Sequence, residues 1–186
     1  LNTFCRVTFI KGDIGDFLGV KITTQPNGAI LMTQPHLIDN ILRDLRLDKD
    51  NVATKETPAP VSTILTKHSA SEAFNGYFDY RSVIGKLNYL EKSTRPDIAH
   101  ALHQCARFAA SPKKEHGKAI IWLGRYLADT KDKGLIFLPK EQSFDCYVDA
   151  DFAGNWDYKE APDDPDTARS RTGYVINYAG CPITWA

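Results

Sequence analysis

The spacing of apolar residues changes twice along this chain, and this change limits the folds that the chain can adopt. Short runs of β-branched and aromatic residues occupy 1–33 and 135–178, whereas residues 35–45 and 80–127 carry apolar side chains at intervals of three and four. The first kind of run is typical of strands, and the second is typical of amphipathic helices. The order of the predicted elements, with strands first, helices next and strands last, predicts an α+β fold. No internal repeat is visible.

The helical part contains four apolar stripes and a connector. The first helix is expected to begin at Pro35, the second covers Tyr80 to Glu91, and the third begins at Pro96 and ends at Ser111-Pro112. A further helix begins near Lys114 and buries Ile120, Leu123 and Leu127. Between the first two helices, residues 48–75 are rich in Thr, Ser, Lys and Pro and show no period, so we expect an extended connector.

The composition excludes several classes of protein. Of 186 residues, 42% are hydrophobic and 25% are charged, which is ordinary for a soluble globular protein and unlike a disordered or collagen-like chain. The apolar runs are far shorter than the roughly 20 residues that span a bilayer, so no membrane or export role is expected. The four cysteines form no C-x-x-C pair, and we expect reduced thiols in an intracellular setting. Because the chain lacks an initial Met and stops within a strand-like run, we expect a piece of a longer polypeptide.

The zero net charge conceals two segments of opposite sign. Residues 81–139 contain eleven basic and five acidic residues, whereas residues 140–166 contain two basic and nine acidic residues. A basic segment beside an acidic one fits a track for a polyanion next to a metal site. Two solvated faces of opposite charge would give the same pattern, so charge alone leaves both interpretations open.

Several blocks of residues follow one another in a fixed order along nearly the whole chain. The blocks are Phe17-Leu18-Gly19-Val20-Lys21-Ile22, Thr57-Pro58, residues 80–90 (YRSVIGKLNYL), Thr94-Arg95-Pro96-Asp97-Ile98-Ala99, residues 147–154 (YVDADFAG) and residues 170–175 (SRTGYV). Together they resemble the polyprotein of copia-type long-terminal-repeat retrotransposons. The resemblance implies the C-terminal part of an RNA-directed DNA polymerase (reverse transcriptase) joined to the start of a ribonuclease H domain. Such a chain would act inside the cell, in a cytoplasmic virus-like particle or the nucleus, as part of a polyprotein that also performs DNA integration.

The same resemblance implies a division of the chain. The segments are 1–33, the end of the polymerase palm with its primer-supporting β-hairpin; 34–50, a thumb helix; 51–79, an extended linker; 80–139, a helical connection segment; and 140–186, the first strands of a truncated ribonuclease H-like fold. The polymerase's metal-binding aspartates and the remaining ribonuclease H carboxylates would lie outside the chain. We therefore expect a fragment that is not catalytically complete, whose partners are the rest of the polyprotein and an RNA–DNA hybrid or primer–template duplex.

Two aspartates are candidates for metal binding. The resemblance implies that Asp149 is a catalytic residue and the first ligand of Mg²⁺ (or Mn²⁺) in the complete enzyme, where two ions would cleave RNA paired to DNA. Asp151 follows two residues later, and alternation along a strand would direct it toward the same ion. Both could equally be ordinary surface charges at the end of a strand. We expect no tightly bound metal in this fragment.

Two groups of residues are candidates for nucleic-acid binding. In the presumed hairpin they are Phe17, Leu18, Gly19 and Lys21, where a glycine would permit close approach of a nucleic-acid backbone. In the basic segment they are Arg95, Lys113, Lys114, Lys118 and Arg125, which would contact phosphates and make binding salt-dependent. Gly19 could instead be a simple strand glycine, the lysines could be solvated, and Arg95 could pair with an acid near the helix that it precedes.

Other patterns are more consistent with structure than with chemistry. Asp97, His100 and His103 recur every three residues, but the ligands that would complete a metal site are missing. Trp122, Tyr126 and Tyr89 are expected to be core aromatics. The alternative functions are a stand-alone, non-catalytic module that binds nucleic acid or a protein, and a decayed remnant of an element.

Overall fold

The computed structural model of the chain describes residues 15–49, 51–61, 64–67, 71–151, 156, 158, 162 and 171–186. The described part is a mixed α+β structure with four α-helices and two antiparallel sheets. The strand expected over residues 7–10 and most of the acidic insertion at 155–166 lie outside the described residues. None of the described helices is long and apolar enough to cross a membrane.

The first sheet contains four strands, and the last of them comes from far along the chain. Its strands are β1 (Asp16–Phe17), β2 (Val20–Thr24), β3 (Ile30–Thr33) and β4 (Leu135–Phe137), in that order across the sheet. The expected turn between β2 and β3 is confirmed, since Gly28 has φ +82° and Asn27 Oδ1 accepts a hydrogen bond from the Ala29 N–H at 3.0 Å. Because β4 pairs with β3, the segments predicted as 1–33 and 80–139 share one sheet.

The helices form the main hydrophobic core and follow the predicted spacing. They are α1 (Pro35–Asp44), α2 (Tyr80–Ser93), α3 (Ala99–Ala106) and α4 (Lys114–Asp129), with a short 3₁₀ turn (Pro96–Ile98) before α3. The predicted stripes are buried: Ile38, Ile41, Leu87, Leu90, Leu102, Ile120, Leu123 and Leu127 are each at most 1% exposed. Amphipathic helices therefore pack around one core, which removes their apolar faces from water.

The connector contains no helix among its described residues, yet it packs on the helices. Leu65 is buried in the core, and the backbone N–H groups of Phe74 and Lys114 donate to Pro112 and Glu72. An isolated bridge joins Ala73 to Lys113. The connector is thus tied to the N-terminus of α4.

The second sheet is a meander of β5 (Phe144–Asp151), β6 (Arg171–Tyr178) and β7 (Cys181–Trp185). The indole N–H of Trp185, at the end of β7, donates to the buried Glu91 carboxylate of α2 at 3.0 Å. Several apolar residues of β5 and β6 stay exposed, with Phe144 at 67% and Val148 at 66%. This sheet is anchored to the helices but leaves apolar surface uncovered.

Candidate nucleic-acid interface

Helix α4 carries three of the predicted phosphate-binding residues on one face. At 100° per residue, Lys114, Lys118 and Arg125 fall within about 40° of each other around the helix axis. They span about 16 Å along it at 1.5 Å per residue. Lys114 and Lys118 are exposed and Arg125 is half-buried, whereas the opposite face of α4 enters the core. We call these three residues the α4 basic stripe.

Local contacts fix the position of α4. Its N-terminal turn is held by His116, whose Nδ1 accepts a hydrogen bond from the Lys113 N–H at 2.9 Å. Gly124 lies where a Cβ atom would come within 2.6 Å of a Leu45 methyl group, so a glycine allows α1 to approach closely. These contacts place the core face of α4 against α1 and leave the α4 basic stripe on the other side.

The cations of the stripe are not strongly paired with other described residues. Lys114 forms an ion pair with Glu72, but the two side chains are 47% and 77% exposed, and pairs of this kind contribute little to stability. The Nε atom of Arg125 is buried and has no hydrogen-bond partner among the described residues. Lys113, at the position preceding α4, is half-exposed. A polyanion could therefore compete for this surface.

Arg95 occupies a different place from the one predicted for a phosphate-binding residue. Its side chain is 1% exposed, donates to both Asp97 carboxylate oxygens, and also donates to the Thr130 carbonyl and hydroxyl oxygens. The structure thus agrees with the alternative of a pair with an acid near a helix start. Because it lies in the interior, Arg95 is not part of the surface that we consider for nucleic acid.

The predicted hairpin candidates form an exposed turn between β1 and β2. Phe17 and Leu18 are 62% and 72% exposed, and Lys21 is also exposed. Leu18 and Gly19 form a two-residue turn with φ +51° and +74°, so both residues are in the left-handed region. Glycine adopts that conformation readily, whereas leucine does so at a cost in free energy.

Tyr89 stabilises this unusual turn. Its hydroxyl, on α2, donates a hydrogen bond to the Leu18 carbonyl oxygen at 2.6 Å. The prediction that Tyr89 is a core aromatic is wrong, since the residue is 46% exposed, while Tyr126 is buried as predicted and Trp122 is half-buried. The spacing of α2 could not reveal the contact, because its partner is a backbone atom 71 residues away.

The predicted metal ligands lie at the end of β5. Asp149 is exposed and pairs across the sheet with Gly173, and Asp151 is the last residue of the strand, paired with Arg171. Within the described ranges, no group of three or more His, Cys, Asp or Glu residues is placed to hold a metal ion. A two-metal site requires several carboxylates, so the described residues do not assemble one.

The sequence of the chain is similar to those of several retrotransposon Pol polyproteins, in agreement with the resemblance seen in its motifs. The chain is homologous to copia-type retrotransposon Pol polyproteins. It is 33% identical over 187 residues to the retrovirus-related Pol polyprotein from transposon TNT 1-94 of Nicotiana tabacum, with 96% of the chain and 13% of the relative covered.

Two relatives from Arabidopsis thaliana show the same pattern. The Pol polyprotein from transposon RE2 is 34% identical over 94% of the chain, and that from transposon RE1 is 31% identical over 91%. The chain spans only 11% of the length of each of these two relatives. No family model matches the chain, and no solved structure matches it.

Proposed function

We propose that this chain is the part of a copia-type Pol polyprotein that covers the end of the reverse transcriptase and the start of ribonuclease H, and that it holds the RNA–DNA hybrid. The α4 basic stripe carries this proposal. Three cations on one face of a rigid helix can neutralise successive phosphates, and the opposite, apolar face of α4 keeps them in place. The exposed hairpin turn, Phe17 to Lys21, is the second proposed contact.

Binding through phosphates has a measurable signature. Each neutralised phosphate lowers the slope of log K against log salt by about 0.9 for duplex DNA, so loss of a contact makes this slope shallower. Contacts with phosphates depend on the shape of the nucleic-acid backbone and do not distinguish one base from another. We therefore expect the chain to bind hybrids of unrelated sequence with similar affinity.

The test compares two triple variants of equal charge. Lys114→Ala, Lys118→Ala and Arg125→Ala together remove the stripe, and Arg81→Ala, Lys133→Ala and Lys140→Ala remove three exposed cations elsewhere. Hybrid affinity of the first variant should fall at least tenfold, with a slope shallower by about two to three. Equal losses in both variants would show that net charge alone determines binding and would overturn the proposal.

Asp149 is proposed as one metal ligand of the complete enzyme, where Mg²⁺ would activate water for cleavage of the RNA strand. Because the described residues assemble no complete metal site, we assign no catalytic step to this chain. The purified chain should leave a labelled RNA–DNA hybrid intact in 5 to 10 mM Mg²⁺, on the order of the concentration at which weak sites fill. Metal-dependent cleavage that is lost in Asp149→Asn would contradict this expectation.

The rest of the polyprotein is the proposed partner of the second sheet. Phe144 and Val148 lie on one face of β5, and Tyr178 of β6 is the cross-strand partner of Phe144. All three are at least 49% exposed, and an apolar sheet face of this kind is stabilised when another layer covers it. A longer polyprotein segment that includes this sheet should therefore unfold at a higher temperature than the 186-residue chain.

A further inference from the structure

The connector places another cation beside the α4 basic stripe. The ammonium group of Lys55 lies over the indole ring of Trp122, 4.0 Å from its centroid. The indole N–H of Trp122 donates to the Thr57 carbonyl oxygen at 2.9 Å. One tryptophan thus holds both the backbone and a charged side chain of the connector on α4.

Trp122 lies next to the stripe along the helix. It is four residues after Lys118 and three before Arg125, so it neighbours both on the helix surface. A cation stacked on its ring is therefore a neighbour of the stripe, although Lys55 precedes Lys114 by 59 positions in sequence. Lys55 is half-buried, which leaves part of its side chain accessible to solvent.

We infer that Lys55 is a fourth phosphate-contacting residue and that Trp122 is the residue that positions it. This inference rests on the proposed binding of an RNA–DNA hybrid by the stripe. A cation–π contact at a partly exposed site is weak, so the ammonium group can turn toward a phosphate while the hydrogen bond to Thr57 keeps the connector in place. The connector would then be part of the binding surface.

A nucleic-acid backbone fits this arrangement better than an acidic protein surface does. The stripe is linear and about 16 Å long, and one strand of a duplex presents a phosphate about every 3.4 Å along its axis. Several phosphates of one strand therefore lie within reach of the three cations of the stripe and of Lys55 beside them. The acidic side chains of a folded protein surface are not in general spaced at such a regular interval.

The experiment compares Lys55→Gln with Lys49→Gln across a salt series on labelled RNA–DNA hybrid. Lys49 is an exposed lysine near the start of the same connector and is not part of the stripe. Lys55→Gln should weaken binding about three- to tenfold and make the slope of log K against log salt shallower by about 0.9. Lys49→Gln should leave both unchanged. Lys55→Arg should restore binding, because a guanidinium also stacks on an indole ring.

Trp122 gives a second measurement. Its fluorescence should change when hybrid binds, because the phosphate draws the ammonium group of Lys55 away from the ring. The part of the fluorescence change that comes from Trp122 should be absent in Trp122→Phe and reduced in Lys55→Gln. The thermal unfolding midpoints of Lys55→Gln and Lys49→Gln should agree, which separates a loss of binding from a loss of folding.

The outcomes distinguish a failure of the role given to Lys55 from a failure of the proposed function. If hybrid binding depends on the stripe but Lys55→Gln binds like Lys49→Gln, the inference is wrong and the proposed function stands. If the folded chain does not bind hybrid at all, both are wrong. If polyglutamate binds as tightly as hybrid at equal charge, the surface recognises acidic protein, and the nucleic-acid assignment of Lys55 is overturned.

Discussion

Arg95 and Asp97 form a two-point ion pair at the start of the 3₁₀ turn before α3. Arg95 Nε donates to one carboxylate oxygen at 2.9 Å, and Nη2 donates to the other at 2.8 Å. The Tyr126 hydroxyl donates to the same carboxylate at 2.7 Å, so α4 is joined to this turn. Partial burial alone would raise the pKa of Asp97, but hydrogen bonds and charge from Arg95 outweigh it and lower the pKa.

Replacement of Arg95 by methionine is expected to be strongly destabilising. The substitution removes one of the two donors to the Thr130 carbonyl oxygen, the other being the Lys133 N–H, and leaves the Asp97 carboxylate without its cation. Loss of one partner of a buried ion pair costs about 3 to 5 kcal/mol, and we expect the lower end because Asp97 is partly exposed. Urea unfolding measures the change. The matched variant Arg81→Met, at an exposed position of α2, should change stability by less than about 0.5 kcal/mol; similar losses in both would refute a special role for Arg95.

His116 is expected to make the stability of the chain depend on pH. Burial lowers its pKa in the folded state, and both ring nitrogens are used there, with Nδ1 as acceptor and Nε2 at 3.0 Å from the Thr66 carbonyl oxygen. Below the unfolded pKa of about 6.5, the unfolded chain binds a proton that the folded chain does not. The stabilisation is therefore complete above about pH 6.5 and is lost as the pH falls toward the folded pKa.

Unfolding free energies measured between about pH 5 and 8 test this dependence. The wild-type chain should lose stability toward the acidic end, and His116→Gln should be less stable at neutral pH but show a flatter profile. His36→Gln, on an exposed surface of α1, serves as the control and should retain the wild-type slope. An unchanged slope in His116→Gln would assign the pH dependence to other groups.

Two glycine substitutions are expected to change the stability of the chain in opposite directions. A Cβ atom at Gly134 would overlap the Met32 carbonyl oxygen, so Gly134→Ala must displace backbone where β4 joins β3. We expect a loss of about 2 kcal/mol or more, in the range of disrupted packing. Gly85, within α2, has open space at the same position, and Gly85→Ala should stabilise the chain by about 0.5 to 1 kcal/mol. Thermal unfolding measures both changes: the unfolding temperature should fall in Gly134→Ala and rise in Gly85→Ala.

Tyr89→Phe is expected to loosen the turn between β1 and β2 without unfolding the helices. The substitution removes the hydroxyl that binds the Leu18 carbonyl, where the backbone of a leucine has a positive φ. Amide hydrogen exchange should become several-fold faster in residues 16–24 and stay unchanged in α3 and α4. Tyr77→Phe is the matched control, because the Tyr77 hydroxyl binds the Leu45 carbonyl at 2.9 Å, away from the hairpin. Faster exchange in residues 16–24 of both variants would argue against a local role for Tyr89.

The helices could be predicted from the sequence because their signal is local. Spacings of three and four place Leu87, Leu102 and Leu127 in the core, and Pro35 marks a helix start. The burial of Arg95 depends on Thr130, which is 35 residues away, and a charged residue in a basic segment gives no sign of such a partner.

The candidate site was only partly predictable for the same reason. Lys114, Lys118 and Arg125 share a helix face, and helical periodicity is enough to bring them together. Lys55 reaches this face only because the connector folds back onto Trp122, and the composition of the connector predicts an extended chain without indicating which helix it contacts. Contacts between distant segments depend on tertiary packing, which local spacing does not encode.

The pairing of β3 with β4 also shapes the order in which this chain can fold. Met32 pairs with Leu135, so Thr33 and Gly134 occupy the places of a two-residue hairpin loop, and residues 34–133 are in effect inserted into that loop. During synthesis the ribosome must therefore release all four helices before the fourth strand of the sheet can be added. The closure entropy of so long a loop is offset only when the helices have already packed and brought its ends together. Nascent chains that stop before Leu135 should expose the edge of β3, and the time between completion of β3 and arrival of β4 is the interval in which that edge is open to pairing with another chain.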